Sequence, residues 1–200
     1  MPEAPVLMVG TDHVAVEVDL LGGLLACPAC EGSLGPWGHA RARVLRRRGG
    51  EEDRVRPRRG RCRGCGKTHV LLGDDGLLRR RDEVAVIGEA IEAKAVGVGH
   101  RRIAVRLGVP AWRVRRWLRR FAERATAIRE HFCRWAFALD VSLAVAGPGL
   151  GVFVDAVEAI GVAARAAVLA HGPRPAWCWA NVASGGVLLS NTKCPLPAVP

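Results

Sequence analysis

Residues 100–121, HRRIAVRLGVPAWRVRRWLRRF, predict two helices joined by a tight turn. In the first helix Ile103 and Leu107 repeat at i and i+4, and Gly108 then ends the helix. Pro110 stands where a second helix begins. The apolar face of the second helix repeats at i, i+3, i+4 and i+7: Val114, Trp117, Leu118 and Phe121. This spacing indicates a helix-turn-helix.

The face opposite the apolar stripe is rich in arginine and predicts contacts with DNA. A helix held by its stripe would present these side chains to the major groove and the flanking phosphates. The candidates for base edges are Ala111, Trp112, Arg113 and Arg116. The candidates for phosphates are Arg115, Arg119 and Arg120, with Arg101 and Arg102 of the preceding helix. A plain helical hairpin with a charged outer face is the alternative.

The rest of the sequence predicts an α+β fold in three parts, and the first part is rich in strands. Residues 1–78 are predicted to form a small zinc ribbon with an N-terminal strand. Residues 14–18 alternate loosely between valine and other side chains, as a strand does, and residues 54–63 form an extended basic run.

The second and third parts are predicted to be mainly helical. Residues 79–137 form a helix-turn-helix domain of short helices, with a supporting helix over residues 84–96. Residues 138–200 form a helical extension, with a helix over residues 152–170 and an irregular tail. Because that helix is apolar around most of its circumference, we expect it to pack either on the helical domain or against a second copy in a homodimer.

Two close pairs of cysteines predict a metal site. The four residues are Cys27, Cys30, Cys62 and Cys65. A two-residue spacing lets both sulfurs of a pair bind one ion from a single turn, and two such turns fill the four tetrahedral positions of a structural zinc. Gly32 and Gly66 follow the pairs, where a glycine can adopt positive φ. We therefore predict one structural Zn²⁺ per chain.

Disulfides and a redox-active pair are the competing interpretations of these cysteines. A reducing cytosol argues against disulfides, and a redox motif needs one pair beside a βαβ pattern. His39 and His69 lie close to the cysteines in the sequence and are candidates for substitute ligands. Such residues more often lie at the surface or form hydrogen bonds. Cys133, Cys178 and Cys194 are widely spaced and are predicted to be buried thiols.

The distribution of charge predicts a polyanionic partner. The chain carries 30 Lys or Arg against 19 Asp or Glu, and residues 41–124 hold 25 of the bases and 10 of the acids. Such a concentration attracts nucleic acid. Arg58, Arg59 and Lys67 of the ribbon are therefore further candidates for backbone contacts, and double-stranded DNA is the predicted partner.

Several other classes of protein are excluded. No stretch reaches the ~20 apolar residues of a membrane span, and no secretory signal is present, so we expect a cytoplasmic protein at the bacterial nucleoid. No small-molecule substrate is indicated. The chain has no tyrosine to act as a nucleophile. The acids after residue 124 do not form a metal-binding catalytic triad: Glu130, Asp140, Asp155 and Glu158. We therefore expect no enzyme activity.

Six stretches of the sequence carry a family resemblance. They are CPAC at 27–30, WGH at 37–39, RPRRGRC at 56–62, CGKTH at 65–69, GHRRIA at 99–104 and WLRRF at 117–121. They resemble an uncharacterised bacterial family, a domain of unknown function that pairs a zinc ribbon with a helix-turn-helix. The order of modules is also similar to the N-terminal DNA-binding part of insertion-sequence transposases. The resemblance covers roughly residues 25–137, with a looser match at 177–189, and implies zinc and DNA.

The sequence thus favours a sequence-specific DNA-binding protein, either a transcriptional regulator or a factor associated with a mobile element. A truncated transposase that lacks its catalytic half is one alternative. A zinc ribbon that binds RNA or protein is another.

Overall fold

The computed structural model describes residues 6–143, 149, 151–189 and 196–197, in which small sheets precede a mainly helical part. The predicted α+β class is confirmed. The strands are β1 (Val6–Val9), β2 (Leu34–His39), β3 (Arg43–Arg46), β4 (Glu52–Val55), β5 (Arg58–Cys62) and β6 (Thr68–Gly73). The helices are α1 (His13–Leu21), α2 (Val84–Ala95), α3 (His100–Leu107), α4 (Ala111–Leu139), α5 (Val152–His171) and α6 (Ala176–Ala183). Cys194, predicted to be a buried thiol, lies outside the described residues.

The first sheet places both cysteine turns at one end. Its strand order is β1-β6-β5-β2, with β1 parallel to β6 and β5 antiparallel to both of its neighbours. Leu34 of β2 pairs with Cys62 of β5. The extended run predicted over residues 54–63 corresponds to the end of β4 and to β5. β3 and β4 form a separate hairpin, with a short 3₁₀ turn (Arg48–Gly50) at its tip.

The N-terminal strand predicted over residues 14–18 is wrong, because this segment lies in α1. The side chain of Asp12 caps the helix by accepting hydrogen bonds from the N–H groups of Val14 (2.9 Å) and Ala15 (3.1 Å). Val16 and Leu20, one turn apart, are the buried α1 residues. The strand at the N-terminus is β1 instead, and its partner is β6.

The β3–β4 hairpin is bound to the segment that leads into α2. The N–H of Arg46 donates to the carbonyl of Arg81 (2.5 Å), and the N–H of Glu83 donates to the carbonyl of Arg46 (2.9 Å). The guanidinium of Arg47 forms ion pairs of 2.6, 3.2 and 2.8 Å with Asp53, Asp75 and Glu83. The hairpin and the helical part are therefore held together by both backbone and side-chain contacts.

The tip of the hairpin lies against the turn between α3 and α4. Arg48 pairs with Glu89 of α2 (3.2 Å), which also pairs with Arg106 of α3 (3.3 Å). Gly108 ends α3 in the left-handed conformation, with φ +65°. A Cβ on Gly108 would lie 3.6 Å from the Cα of Gly49. The turn that sets the angle of α3 and α4 is thus packed on the hairpin.

Helices α2 to α6 share one hydrophobic core. The prediction of short helices is wrong for α4, which has 29 residues because no glycine or proline interrupts residues 111–139. The helices predicted over residues 84–96 and 152–170 are confirmed by α2 and α5. α5 packs along α4, where the rings of Phe153 and Phe121 lie 4.8 Å apart. Among the described residues, no helix is both long and apolar enough to cross a membrane.

This packing of α5 within the chain is one of the two arrangements predicted for it. Its buried side chains are mostly alanines, which allow α4 to approach closely. The homodimer stays a prediction.

The irregular tail predicted after residue 170 is wrong in part, because it contains α6. Trp177, Cys178 and Trp179 of α6 are buried, which confirms the prediction for Cys178. The indole of Trp177 covers Gly88 of α2, where a Cβ would lie 2.2 Å from the indole Cγ. Its Nε1 donates to Glu92 Oε1 at 2.8 Å. The missing side chain of Gly88 therefore sets how closely α6 approaches α2.

Replacing Gly88 by alanine tests this close packing. We expect Gly88→Ala to lower the free energy of unfolding by about 1–3 kcal/mol, because the added Cβ displaces the indole of Trp177. The control is Gly161→Ala in α5, where a Cβ meets only the end of the Arg165 side chain at 3.6 Å. The control should gain up to about 1 kcal/mol, since alanine favours a helix. Urea unfolding measures both, and equal effects at the two positions would contradict the packing.

Candidate metal centre and basic surface

The two cysteine turns bring four sulfur atoms together, as predicted. The Sγ atoms of the cluster all lie within 4.8 Å of one another: Cys27, Cys30, Cys62 and Cys65. Cys27 Sγ and Cys65 Sγ are 3.8 Å apart, and Cys30 Sγ and Cys62 Sγ are 3.5 Å apart. Four sulfurs bound at about 2.3 Å around one tetrahedral ion stand about 3.8 Å from each other. The cluster could therefore hold one metal ion.

Backbone N–H groups point at the first cysteine of each turn. In the first turn the N–H of Ala29 donates to Cys27 Sγ at 3.4 Å. In the second turn the N–H groups of Gly64 and Cys65 donate to Cys62 Sγ at 3.3 and 3.4 Å. Such bonds favour the thiolate, which is the form of cysteine that binds a metal ion.

The glycines that follow the two pairs have different roles. Gly66 has φ +73°, as predicted. The prediction that Gly32 adopts positive φ is wrong, because Glu31 is the left-handed residue of the first turn, at φ +60°. Gly32 is required for space instead. A Cβ there would lie 3.2 Å from Cys62 Sγ and 3.5 Å from Cys30 Sγ, so a side chain would crowd the sulfurs.

The two thiols of the second turn have opposite pKa shifts. The N–H of Cys65, supported by the Cys30 thiol, lowers the pKa of Cys62 to about 6 although burial opposes it. For Cys65, the N–H of Lys67 lowers the pKa. The neighbouring thiols, with Cys30 first, and burial outweigh that effect and raise the pKa of Cys65 to about 11. Cys62 thus supplies a thiolate at neutral pH, and Cys65 must release a proton to bind a cation.

The two histidines near the cysteines are placed differently. His69 is buried, and its Nε2 lies 3.2 Å from Cys27 Sγ, which is a hydrogen-bonding contact with a ligand atom. His39 is exposed at the end of β2 remote from Leu34. His69 therefore supports the cluster, whereas His39 takes no part in it.

The predicted DNA contacts fall into an exposed group and an internal group. In the exposed group, no ion pair within the described part of the chain involves these side chains: Arg101, Arg102, Arg115, Arg116 and Lys67. Trp112 is 62% exposed, and Ala111 is half-buried at the start of α4. Arg119 is exposed and pairs with Glu123 at 3.5 Å.

In the internal group, the guanidinium groups bind other residues of the chain. Arg113 pairs with the buried Asp82 at 3.2 Å. Arg58 forms two hydrogen bonds of 2.6 and 2.7 Å with the carboxylate of Glu17, and Arg59 donates to Thr68 Oγ1 at 3.1 Å. Glu17 is 41 residues from Arg58 in the chain, so its pairing could not be read from the sequence.

Arg80 is a basic residue that the sequence analysis missed. It is half-buried before α2, and its guanidinium donates to the carbonyl of Leu189. The run Arg79-Arg80-Arg81 marks it as basic, but its contact with Leu189, 109 residues away, depends on the tertiary structure. Arg120, predicted to bind phosphate, is half-buried on α4.

Substitution of one cysteine tests the metal centre. We expect the wild-type protein to bind about one metal ion per chain and Cys62→Ser to lose it, because three thiolates cannot complete the tetrahedral site. The control Cys133→Ser changes a half-buried thiol of α4 outside the cluster and should keep the ion. Elemental analysis after gel filtration measures the stoichiometry. A full equivalent in Cys62→Ser would contradict the assignment.

Comparison with known families finds a match over residues 27–117 to the family described as Domain of unknown function (DUF6431). The match begins at the first cysteine of the cluster and ends at Trp117 in α4. Comparison with curated proteins and with solved structures finds no match. The predicted similarity to transposases therefore stays a prediction. The chain is thus similar to a family of unknown function over less than half of its length. Together with the four-cysteine cluster, this match fits a zinc-ribbon-like element.

Proposed function

We propose that this chain is a sequence-specific, double-stranded DNA-binding protein whose N-terminal part folds around one structural Zn²⁺ ion. The observation that carries the proposal is the distribution of guanidinium groups. Arg46, Arg47 and Arg48 of the β3–β4 hairpin bind carboxylates of the chain. The arginines on the outer faces of α3 and early α4 are exposed and, among the described residues, have no acidic partner: Arg101, Arg102, Arg115 and Arg116. A polyanion supplies the missing charge.

Zinc is the proposed ion because four thiolates are its usual structural ligand set. The protein fills all four tetrahedral positions and leaves none for a substrate, so we propose no catalytic role for the metal. The ion would join the two cysteine turns, since the hydrophobic core around them contains few side chains. The N–H groups of the turns offset part of the charge of the thiolates.

α3 and α4 are proposed to act as a helix-turn-helix. α3 ends at Gly108, and α4 begins at Ala111 after a turn of two further residues. Ile103, Leu107 and Val114 are buried and hold the pair on the core. We propose that the first turn of α4 enters the major groove, where Ala111 and the exposed indole of Trp112 contact base edges and thymine methyl groups.

The exposed arginines are proposed to bind backbone phosphates on either side of that groove. Arg101 and Arg102 lie at the N-terminal end of α3, and Arg115 and Arg119 follow the first turn of α4. Arg113 is assigned a different role from the one its sequence position indicated, because its ion pair with Asp82 fixes α4 to the segment before α2. A transcriptional regulator and a mobile-element factor would use the same interface.

Removal of one exposed arginine tests the proposal. Arg115→Ala should weaken binding to a labelled DNA duplex about tenfold near 0.1 M salt and lower the slope of log K against log salt by about 1, because one phosphate contact is lost. The control Arg165→Ala removes an exposed arginine from α5 and should change neither value. Fluorescence anisotropy over a series of salt concentrations measures both. A wild-type protein that binds no duplex at low salt would overturn the proposal.

Selection from random DNA duplexes tests whether the protein recognises a specific base sequence. We expect an enriched motif, and we expect Trp112→Ala to change the preference at one or two positions, because the indole is placed at the base edges. Competition with duplex RNA tests whether the protein distinguishes DNA from RNA. Equal competition by RNA, or no enriched motif, would be incompatible with sequence-specific DNA binding.

A further inference from the structure

Four arginines recur along one flank of α4, at i, i+3, i+7 and i+11: Arg113, Arg116, Arg120 and Arg124. The two end members are held within the chain. Arg113 pairs with Asp82 at 3.2 Å, and Arg124 NH1 donates to the carbonyls of Val187 (2.5 Å) and Leu188 (3.3 Å). Arg116 and Arg120 lie between these fixed points. The segments around residues 80–82 and 187–189 therefore line the flank on which they stand.

Arg80 joins this flank from outside α4. Its guanidinium donates to the carbonyl of Leu189, next to the carbonyls that hold Arg124. Asp82, two residues after Arg80, pairs with Arg113, and Leu189 adjoins the carbonyls that hold Arg124, so Arg80 lies beside the part of the flank that carries Arg116 and Arg120. In agreement, burial and then the charges of Arg120 and Arg116 lower the pKa of Arg80 to about 10. Asp82, whose charge raises the pKa of Arg80, pairs with Arg113 at 3.2 Å.

Arg120 supplies the sign of an incomplete site. Its Nε is buried and has no hydrogen-bond partner among the residues that the structure describes. A buried donor without an acceptor destabilises the folded state, and like charges around it add to that cost. A bound anion would satisfy the donor and the charge together.

We propose that Arg80, Arg116 and Arg120 bind a phosphate group, which in the proposed function is a phosphodiester of the DNA backbone. A phosphate offers several acceptor oxygens in different directions, and guanidinium forks bind such oxygens in pairs. This inference rests on the proposed function, and it moves Arg116 from the base edge, where its sequence position placed it, to the backbone.

The position of the site along α4 agrees with this ligand. Arg120 is nine residues after Ala111, which is about 14 Å at about 1.5 Å per residue. The major groove is about 12 Å wide. A helix whose first turn lies in the groove therefore carries Arg120 to the phosphates at the edge of the groove, as the C-terminal part of a recognition helix does. The segment 187–189 acquires a role too, since its carbonyls hold Arg80 and Arg124 in place.

The first arm of the test uses the full-length, zinc-loaded protein and a labelled duplex of mixed sequence. Arg120→Met removes the charge and keeps the length of the side chain. We expect about tenfold weaker binding near 0.1 M salt and a salt slope lower by about 1, because one phosphate contact is lost. The unfolding temperature should not fall, because the variant loses an unsatisfied buried donor. The control Arg134→Met, exposed on the same helix, should match the wild type.

Arg116→Met is the second variant, because Arg116 is exposed and its replacement leaves the core intact. The second arm compares unfolding temperatures in inorganic phosphate and in sodium chloride at equal ionic strength. A saturable rise in phosphate, present in the wild type and absent in Arg120→Met, would report the site without DNA.

The two arms distinguish the two possible sources of the phosphate group, the DNA backbone and free inorganic phosphate. A loss in the DNA arm supports a backbone phosphodiester, and a response confined to the second arm supports a free phosphate. If both variants bind duplex with wild-type affinity and slope, and phosphate has no effect, the site is overturned while DNA binding stands. If the wild type binds no duplex, the proposed function fails, and the second arm alone decides the site.

Discussion

The convergence of four sulfur atoms is the constraint on which the N-terminal half of the chain depends. Among the described residues, the small core of the first sheet has six buried side chains, and two of them are cysteines of the cluster: Val16, Leu20, Cys27, Leu34, Cys62 and Leu71. A core of this size stabilises a fold weakly, so a bound ion would contribute directly to folding. The cluster also fixes register, because Leu34 pairs with Cys62 and thereby aligns β2 with β5. β6, β1 and α1 are then built on that pair of strands.

Arginine has two uses in this chain, and only the tertiary structure separates them. Arg46, Arg47 and Arg48 bind carboxylates and attach the β3–β4 hairpin to α2. These ion pairs are partly exposed, so each contributes about 0.2–1 kcal/mol and orients the hairpin more than it stabilises the fold. Since the hairpin tip contacts Gly108, the β3–β4 hairpin and the α3–α4 turn are held in one arrangement. Four exposed arginines of α3 and α4 have no acidic partner among the described residues: Arg101, Arg102, Arg115 and Arg116.

The features that the sequence predicted correctly are local in the chain. Two residues separate the cysteines of each pair, Ile103 and Leu107 recur at helical spacing in α3, and Val114 and Trp117 do so in α4. Short-range geometry was therefore enough to predict the two cysteine turns and the helices α3 and α4. The errors arose where local patterns were ambiguous. Valines at alternate positions fit a strand, yet Asp12 caps a helix there and buries Val16 and Leu20 one turn apart. The same limit explains Gly32, whose role is set by the sulfur of Cys62.

By itself, the sequence determined which residues can share a metal ion, where α3 ends and α4 begins, and where the positive charge is concentrated. Each of these depends on residues a few positions apart, on two such short motifs taken together, or on composition. The tertiary structure decided which guanidinium groups are already bound, because Glu17 meets Arg58, Asp82 meets Arg113, and the carbonyl of Leu189 meets Arg80 only after folding. Those partners lie 31 to 109 residues apart, and long-range pairing of charges leaves no periodic trace in a sequence.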